Sequence, residues 1–273
     1  MSCDLAKQFA WKICLISVKP DQIMLRVTPR EVESYKKIKK EFMERKHQLR
    51  CKRKWEKLNL KISKQLRDII HGYIMSDGYV NQKGILTIDQ GKKQKKFVEW
   101  LASEFNTIKA SNIKQQIRIH SKTQRKTISF RFSTKAVLHG FHAMWYKPYL
   151  NKHGLIRYKK KLPKSCGCFL NSKSVSIWFA GDGTKVLGSV GAKFEITSFS
   201  VKERLLLQKI FLTKFGIKTM IIKSGKTKKG NEQWALKIPS KSYGRFYNLI
   251  TQNMLIPDVF PYKLHKKSSF LTP

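Results

Sequence analysis

Acidic residues are scarce: 17 Asp and Glu stand against 57 Lys and Arg, a formal charge of +40, and the shortage runs the length of the chain. So much positive charge repels itself unless a polyanion offsets it, which makes nucleic acid the leading partner and a membrane surface a poorer one. Long apolar runs are missing too. The best early stretch, Phe9 to Val18, is broken by Lys12, and nothing approaches the roughly 20 residues that span a bilayer. Asp4 and the lack of a secretory pattern argue against export. The few cysteines, Cys3, Cys14, Cys51, Cys166 and Cys168, are odd in number, which argues against a disulfide framework. Cys166-Gly167-Cys168 has no second Cys or His pair at ligand spacing, so free thiols are expected rather than a zinc site. A glycine-rich phosphate loop is absent as well, and no ATP dependence is expected.

What is present can fold. At 273 residues with 41% hydrophobic content, the chain can build one large core or two of about 100 residues each. Residues 1–64 differ from the rest: Glu31 to Lys64 is charged and helix-forming with a thin apolar stripe, either a solvated face or an arm along a phosphate backbone.

Two short apolar runs organise the remainder. Ile69 to Val80 contains Gly72, Ser76, Asp77 and Gly78; Ser174 to Thr184 contains Ser176, Ala180, Gly181, Asp182 and Gly183. Each reads as a helix with small residues for close approach, then an acid, then a glycine expected to permit the turn out of the helix. Negative charge at a helix C-terminus opposes the macrodipole, so an acid placed there twice implies a use. Packed together, the two helices would set Asp77 and Asp182 side by side, as divalent-metal chemistry on phosphate requires.

Around each run the same elements recur in the order αββαββα. In the first half, strands are expected at Tyr79 to Asn81 and Gly84 to Asp89, and a helix at Phe97 to Phe105. A hairpin follows from Gln116 to Phe132, then a helix over Ala136 to Tyr146. The second half offers strands at Ala192 to Phe199, Lys218 to Lys223 and Trp234 to Ile238, with helices at Val201 to Phe215 and Tyr243 to Asn253. Such a repeat implies two domains related by a pseudo-two-fold axis through the motif helices. The expected division is 1–64 extension, 65–150 first domain, 151–173 linker, 174–273 second domain.

The two segments resemble the signature of the LAGLIDADG homing endonucleases, above all the single-chain, two-motif enzymes of group I introns. Ile70 to Gly78 keeps Gly72, Ile74, Asp77 and Gly78, while Val175 to Gly183 keeps the aspartate and glycine. The resemblance implies an α+β fold of two αββαββα domains forming DNA-binding β-saddles. It implies a catalytic pair, Asp77 and Asp182, holding Mg²⁺ or Mn²⁺ with the backbone carbonyls of Ser76 and Gly181. It also implies a basic residue near each metal, matched by Lys160 in Lys159-Lys160-Lys161-Leu162-Pro163 and by Lys263 in Tyr262-Lys263-Leu264.

The strand faces carry Arg118, His120, Arg131, Lys193, Lys218, Lys223, Gln233 and Lys237, types suited to reading base edges and holding phosphates in a major groove. His71 and the His139/His142 pair are expected to pack, with Trp178 and Phe179 in the core. The activity implied is cleavage of both strands at a long double-stranded DNA site by a monomer in an organelle, the mitochondrion foremost and the chloroplast as an alternative, mobilising its intron. The alternatives are a maturase acting on intron RNA and a non-catalytic DNA-binding protein on the same scaffold.

Overall fold

The computed structural model describes residues 33–34, 37–46 and 62–266, apart from 120, 122, 152, 228–229 and 253–254. The chain divides into two units, Met1–Arg45 and Lys46–Pro273. Residues 33–34 and 37–46 are helical, as expected of the basic extension; the rest of that expectation, with Cys3, Cys14 and Cys51, lies outside the described residues. Among those residues no helix is long and apolar enough to cross a membrane.

The first half begins with α1 (Lys64–Met75). Ser63 caps it by accepting from Leu66 N at 3.1 Å, and its apolar residues Leu66, Ile69, Ile70, Tyr73 and Ile74 are buried. After it come β1 (Tyr79–Val80), β2 (Leu86–Gly91), α2 (Lys95–Glu104), β3 (Lys114–Ile119), β4 (Lys126–Ser133) and α3 (His139–Trp145). The strands form an antiparallel sheet ordered β1-β2-β4-β3. Phe97, Leu101 and Phe105 of the α2 region are sealed against Leu86, Ile88 and Phe132, and the Phe105 and Phe132 rings meet edge to face. Helix α3 is shorter than its spacing suggests because Tyr146 already has extended backbone and opens a strand.

That strand, β5 (Tyr146–Leu150), pairs with β6 (Ile156–Lys160) in a separate two-stranded ribbon. The stretch expected as linker therefore holds most of a hairpin and then a single helical turn, α4 (Cys166–Phe169). Cys166, buried, and Cys168, exposed, form no disulfide.

The second half repeats the first with α5 (Ser172–Asp182), β7 (Gly183–Lys185), β8 (Ala192–Glu195), α6 (Val201–Phe215), β9 (Met220–Lys226), β10 (Glu232–Ile238) and α7 (Ser240–Thr251). Asn171 and Ser174 form a reciprocal cap at the start of α5. The sheet order, β7-β8-β10-β9, matches the first. The short β7, unforeseen from the residues, completes the correspondence with β1. Phe194 is the hub of this core, meeting Trp178, Phe211 and Phe246 at ring separations of 4.2, 5.9 and 5.7 Å. After α8 (Leu255–Val259), a 3₁₀ turn over Pro261–Lys263 carries the chain back to the end of α5.

Candidate functional site

The two motif helices meet without room to spare. A Cβ on Gly72 would lie 2.4 Å from the Ser174 carbonyl oxygen and 2.8 Å from Ile177 Cβ, and one on Gly181 would lie 2.4 Å from Ser76 Cβ. Gly72 and Ile177 occupy the same place in their two motifs, as do Ser76 and Gly181. Equivalent residues thus face each other, so the helices run parallel about a pseudo-two-fold axis and end together. Ser176 serves the seam differently from the expected small-residue contact: its hydroxyl donates to the Ile250 carbonyl at 2.9 Å, tying α5 to α7.

Gly78 and Gly183 also act otherwise than expected. Neither has a positive φ; a Cβ on Gly78 would lie 2.6 Å from the Tyr73 carbonyl oxygen, and one on Gly183 would lie 2.0 Å from the Phe179 ring. Space rather than backbone freedom requires glycine at both exits.

At the shared end stand the two acids. A Cβ on Gly181 would sit 3.2 Å from Asp77 Oδ2, so Asp77 leans over the end of the partner helix. Burial and the charge of Asp77 together push the Asp182 carboxyl up to about 7, against the opposing pull of Lys160 and Lys263. Both lysines reach the same place from afar. Lys160 Nζ donates to the carbonyls of Ile74 and Ser76 at 2.6 and 2.9 Å. Lys263 Nζ donates to those of Phe179, Ala180 and Gly181 at 3.3, 2.6 and 3.0 Å. Each ammonium thus caps the C-terminal carbonyls of one motif helix, where the macrodipole favours a cation. Burial lowers both; Lys263 falls to about 8 while Asp182 and Asp77 resist the shift.

Lys160 is held in place by its neighbours, with Lys161 N donating to the Trp145 carbonyl and Leu162 N to Glu203 Oε1, each at 2.7 Å. The carbonyls of Ser76 and Gly181, expected as metal ligands, each accept one hydrogen bond from a lysine. Among the described residues no group of three or more His, Cys, Asp or Glu side chains could hold a metal ion. Two carboxylates whose charges oppose each other beside backbone carbonyls nevertheless form a set of hard oxygen donors that fits a divalent cation.

One site residue escaped the sequence reading. Gln90 Nε2 donates to Asp77 Oδ2 at 3.0 Å and to Tyr73 Oη at 3.2 Å. The available signal was a polar residue in the inward-facing series Leu86, Ile88, Gln90, which needs a partner when buried. On the second sheet the matching place after Phe194 is Ile196, so Asp182 has no such amide and the two halves differ chemically.

The histidines pack, as expected. His71 Nδ1 accepts from Trp145 Nε1 at 3.0 Å and its ring stacks on Phe169, and burial holds its pKa down at about 4. His142 Nδ1 lies 2.7 Å from the Val80 carbonyl oxygen, and Trp178 and Phe179 are fully buried.

The strand registers sort the expected nucleic-acid contacts by face. On the first sheet Arg131 lies opposite Asp89 and Lys114, and Arg118 shares their face. Arg118 is not a free cation: its guanidinium is paired with Asp89 and donates to Gln116 Oε1 at 2.9 Å. On the second sheet Lys193 and Lys237 are direct cross-strand partners, a like-charge pairing that opposes sheet formation and suits an anion above it. Gln233 shares that face beyond the bulge at Gln233/Trp234. Two expectations are corrected here. Lys223 lies opposite Trp234 on the other face, with its ammonium paired to Glu232, and Lys218 precedes β9 rather than belonging to it. His120 lies outside the described residues.

The sequence model of the LAGLIDADG DNA endonuclease family matches residues 67–246. No curated protein matches the chain. Among solved structures, the homing endonuclease I-WcaI bound to its DNA recognition sequence is similar at 19% identity and a TM-score of 0.58, covering 81% of this chain and 92% of that one. I-DmoI in complex with DNA and Ca is similar at 16% identity, covering 70% of this chain and 92% of that one, with a TM-score of 0.38. Full-length WhiA from Thermatoga maritima is similar at 14% identity, covering 78% of this chain and 66% of that one, with a TM-score of 0.40. At 19% identity the likeness to I-WcaI is one of fold.

Proposed function

The chain belongs to the LAGLIDADG DNA endonuclease family, and from that premise we propose that it cuts both strands of a double-stranded DNA target with a divalent cation, Mg²⁺ or Mn²⁺, held at Asp77 and Asp182. The observation that carries this reading is the parallel glycine seam that ends in two mutually repelling carboxylates, with one lysine ammonium brought to each. A divalent ion bound there supplies activation of water and stabilisation of the leaving oxygen. The protein's own residues do the rest. Gln90, itself anchored on Tyr73 Oη, holds Asp77 Oδ2 in one orientation, and Lys160 and Lys263 offset the phosphate charge that enters the site. Burial brings Lys263 down to about 8, within reach of neutral pH, as a group that moves protons must be.

Strands β1 and β7 leave the motif helices directly, so the inner edges of the two sheets flank the acids, and β3 and β9 form the outer edges. Arg131, Lys193, Lys237 and Gln233 then lie on the faces that take the duplex. Cleavage of this kind at the intronless copy of a host gene, in an organelle, would mobilise the intron that encodes the enzyme.

The test uses DNA spanning the intronless insertion site with Mg²⁺. Asp77→Asn and Asp182→Asn should each abolish double-strand cleavage while binding, followed by fluorescence anisotropy, stays within a few-fold of wild type. Full cleavage by either variant overturns the assignment.

A further inference from the structure

The β5–β6 ribbon belongs to neither sheet, and the catalytic reading gives no role to anything beyond its base. That base is fixed beside the first motif. Tyr146 Oη donates to the Gly78 carbonyl and accepts from Val80 N, both at 3.3 Å, and the last residue of β6 is Lys160 itself. The tip is closed by a rigid turn. Asn151 Oδ1 accepts from His153 N and Leu155 N at 3.0 and 2.9 Å, and Gly154 has φ 71°, which favours glycine. A Cβ on Gly154 would meet nothing within 4 Å among the described residues, and residues 153–156 are exposed. From Lys160 to Leu155 the ribbon reaches about 17 Å at roughly 3.3 Å per residue.

The two faces of this arm differ. Pairing of Lys147 with Lys159 and of Tyr149 with Arg157 puts these four exposed residues on one side. Leu150 and Ile156 are partners on the other, the side that also carries Tyr146, Tyr158 and Lys160. No residue from 146 to 161 is acidic. Two lysines directly across from each other, with an arginine on the same face and no carboxylate on the ribbon, weaken a free-standing hairpin unless an anion lies against it. The exposed Leu150 and Ile156 are equally unhelpful to an isolated ribbon in water.

We propose that the β5–β6 ribbon is a separate arm that grips duplex DNA next to the Asp77 centre. Lys147, Arg157 and Lys159 hold backbone phosphates, and Leu150 and Ile156 press into the minor groove. This rests on the nuclease reading and deepens it: the arm adds a sequence-independent hold at the centre of the target, rigidly joined to Lys160. Groove insertion by apolar side chains flanked by Arg and Lys is a recognised way to bind DNA without reading its sequence.

Full-length protein is titrated into fluorescein-labelled target and scrambled duplexes across roughly 50 to 200 mM salt. Arg157→Ala/Lys159→Ala removes two phosphate contacts. The slope of log affinity against log salt should become shallower by about 1.8, and affinity at about 0.1 M salt should fall roughly 60-fold on both duplexes alike. Leu150→Ser/Ile156→Ser should lower affinity with the slope unchanged. Neither variant should lower the melting temperature, since all four side chains are exposed and each change removes a feature that weakens the free ribbon. Wild-type slope and affinity in the basic variant would overturn the arm while leaving the nuclease reading intact, provided wild type cuts the target. Failure of wild type to bind any duplex would overturn both.

Discussion

Replacing Gly72 by alanine tests the seam on which the site depends. The added Cβ would lie 2.4 Å from the Ser174 carbonyl oxygen and 3.0 Å from Ser174 Cα, and backbone of a capped helix cannot rotate away as a side chain can. Relief to an ordinary contact needs the helices to separate by roughly 1 Å, and a gap of that size forfeits a quarter to a half of each dispersion well along the interface. Ile69, Ile70, Ile74, Val175 and Ile177 are all buried there, so an overpacking loss of about 2 to 3 kcal/mol is expected. For a domain of about 200 residues this lowers the melting temperature by roughly 4 to 12 °C.

Gly244→Ala is the internal control. Gly244 lies within α7, and a Cβ there meets nothing within 4 Å, so the same substitution should stabilise by about 0.5 to 1 kcal/mol through helix propensity alone. Scanning calorimetry of the two variants should give shifts of opposite sign. A Gly72→Ala protein melting within about 1 °C of wild type would refute the close seam.

Three further outcomes are expected. The folded-state value of Asp182, about 7, lies above the ordinary carboxylate range, so the folded protein retains a proton that the unfolded chain has released, and stability falls as pH climbs from about 4 through about 7. With chelator present, Asp182→Asn should therefore melt above wild type at pH 8 and coincide with it near pH 4; equal melting at both would refute the buried repulsion. His71 has the opposite sign: held at about 4, it contributes stability that is lost as pH falls from about 6.5 through about 4. His71→Leu should remove that slope yet lose about 1 to 3 kcal/mol at neutral pH, because Trp145 Nε1 is left without an acceptor, as denaturant titration would reveal. Lys160→Met and Lys263→Met should each slow strand cleavage by roughly 10² to 10⁴, read by strand-specific labelling, with anisotropy binding within a few-fold of wild type.

The local pattern was legible in the residues because helices and strands advertise their period. Val201–Phe215 has the bounds expected of it, the two motif helices end beside their acids, and the αββαββα repeat follows from spacing. These are contacts within a dozen residues of one another, where periodicity, capping and turn chemistry decide the outcome.

What the residues alone left open lies at longer range. That Gly78 and Gly183 are there for space, that Gln90 turns inward onto Asp77, and that Ser176 looks toward α7 all depend on which helix packs where. Lys223 pairs with Trp234 and so faces away from Gln233, a register that no propensity announces. The linker's basic run conceals a ribbon because its strands pair only with each other. Charge and pattern determined what kind of molecule this is. Only the packing of two parallel helices decided that an aspartate, its distant repeat and two lysines more than eighty residues away would share one small volume, since that proximity is a property of close-packed surfaces and not of neighbours along the chain.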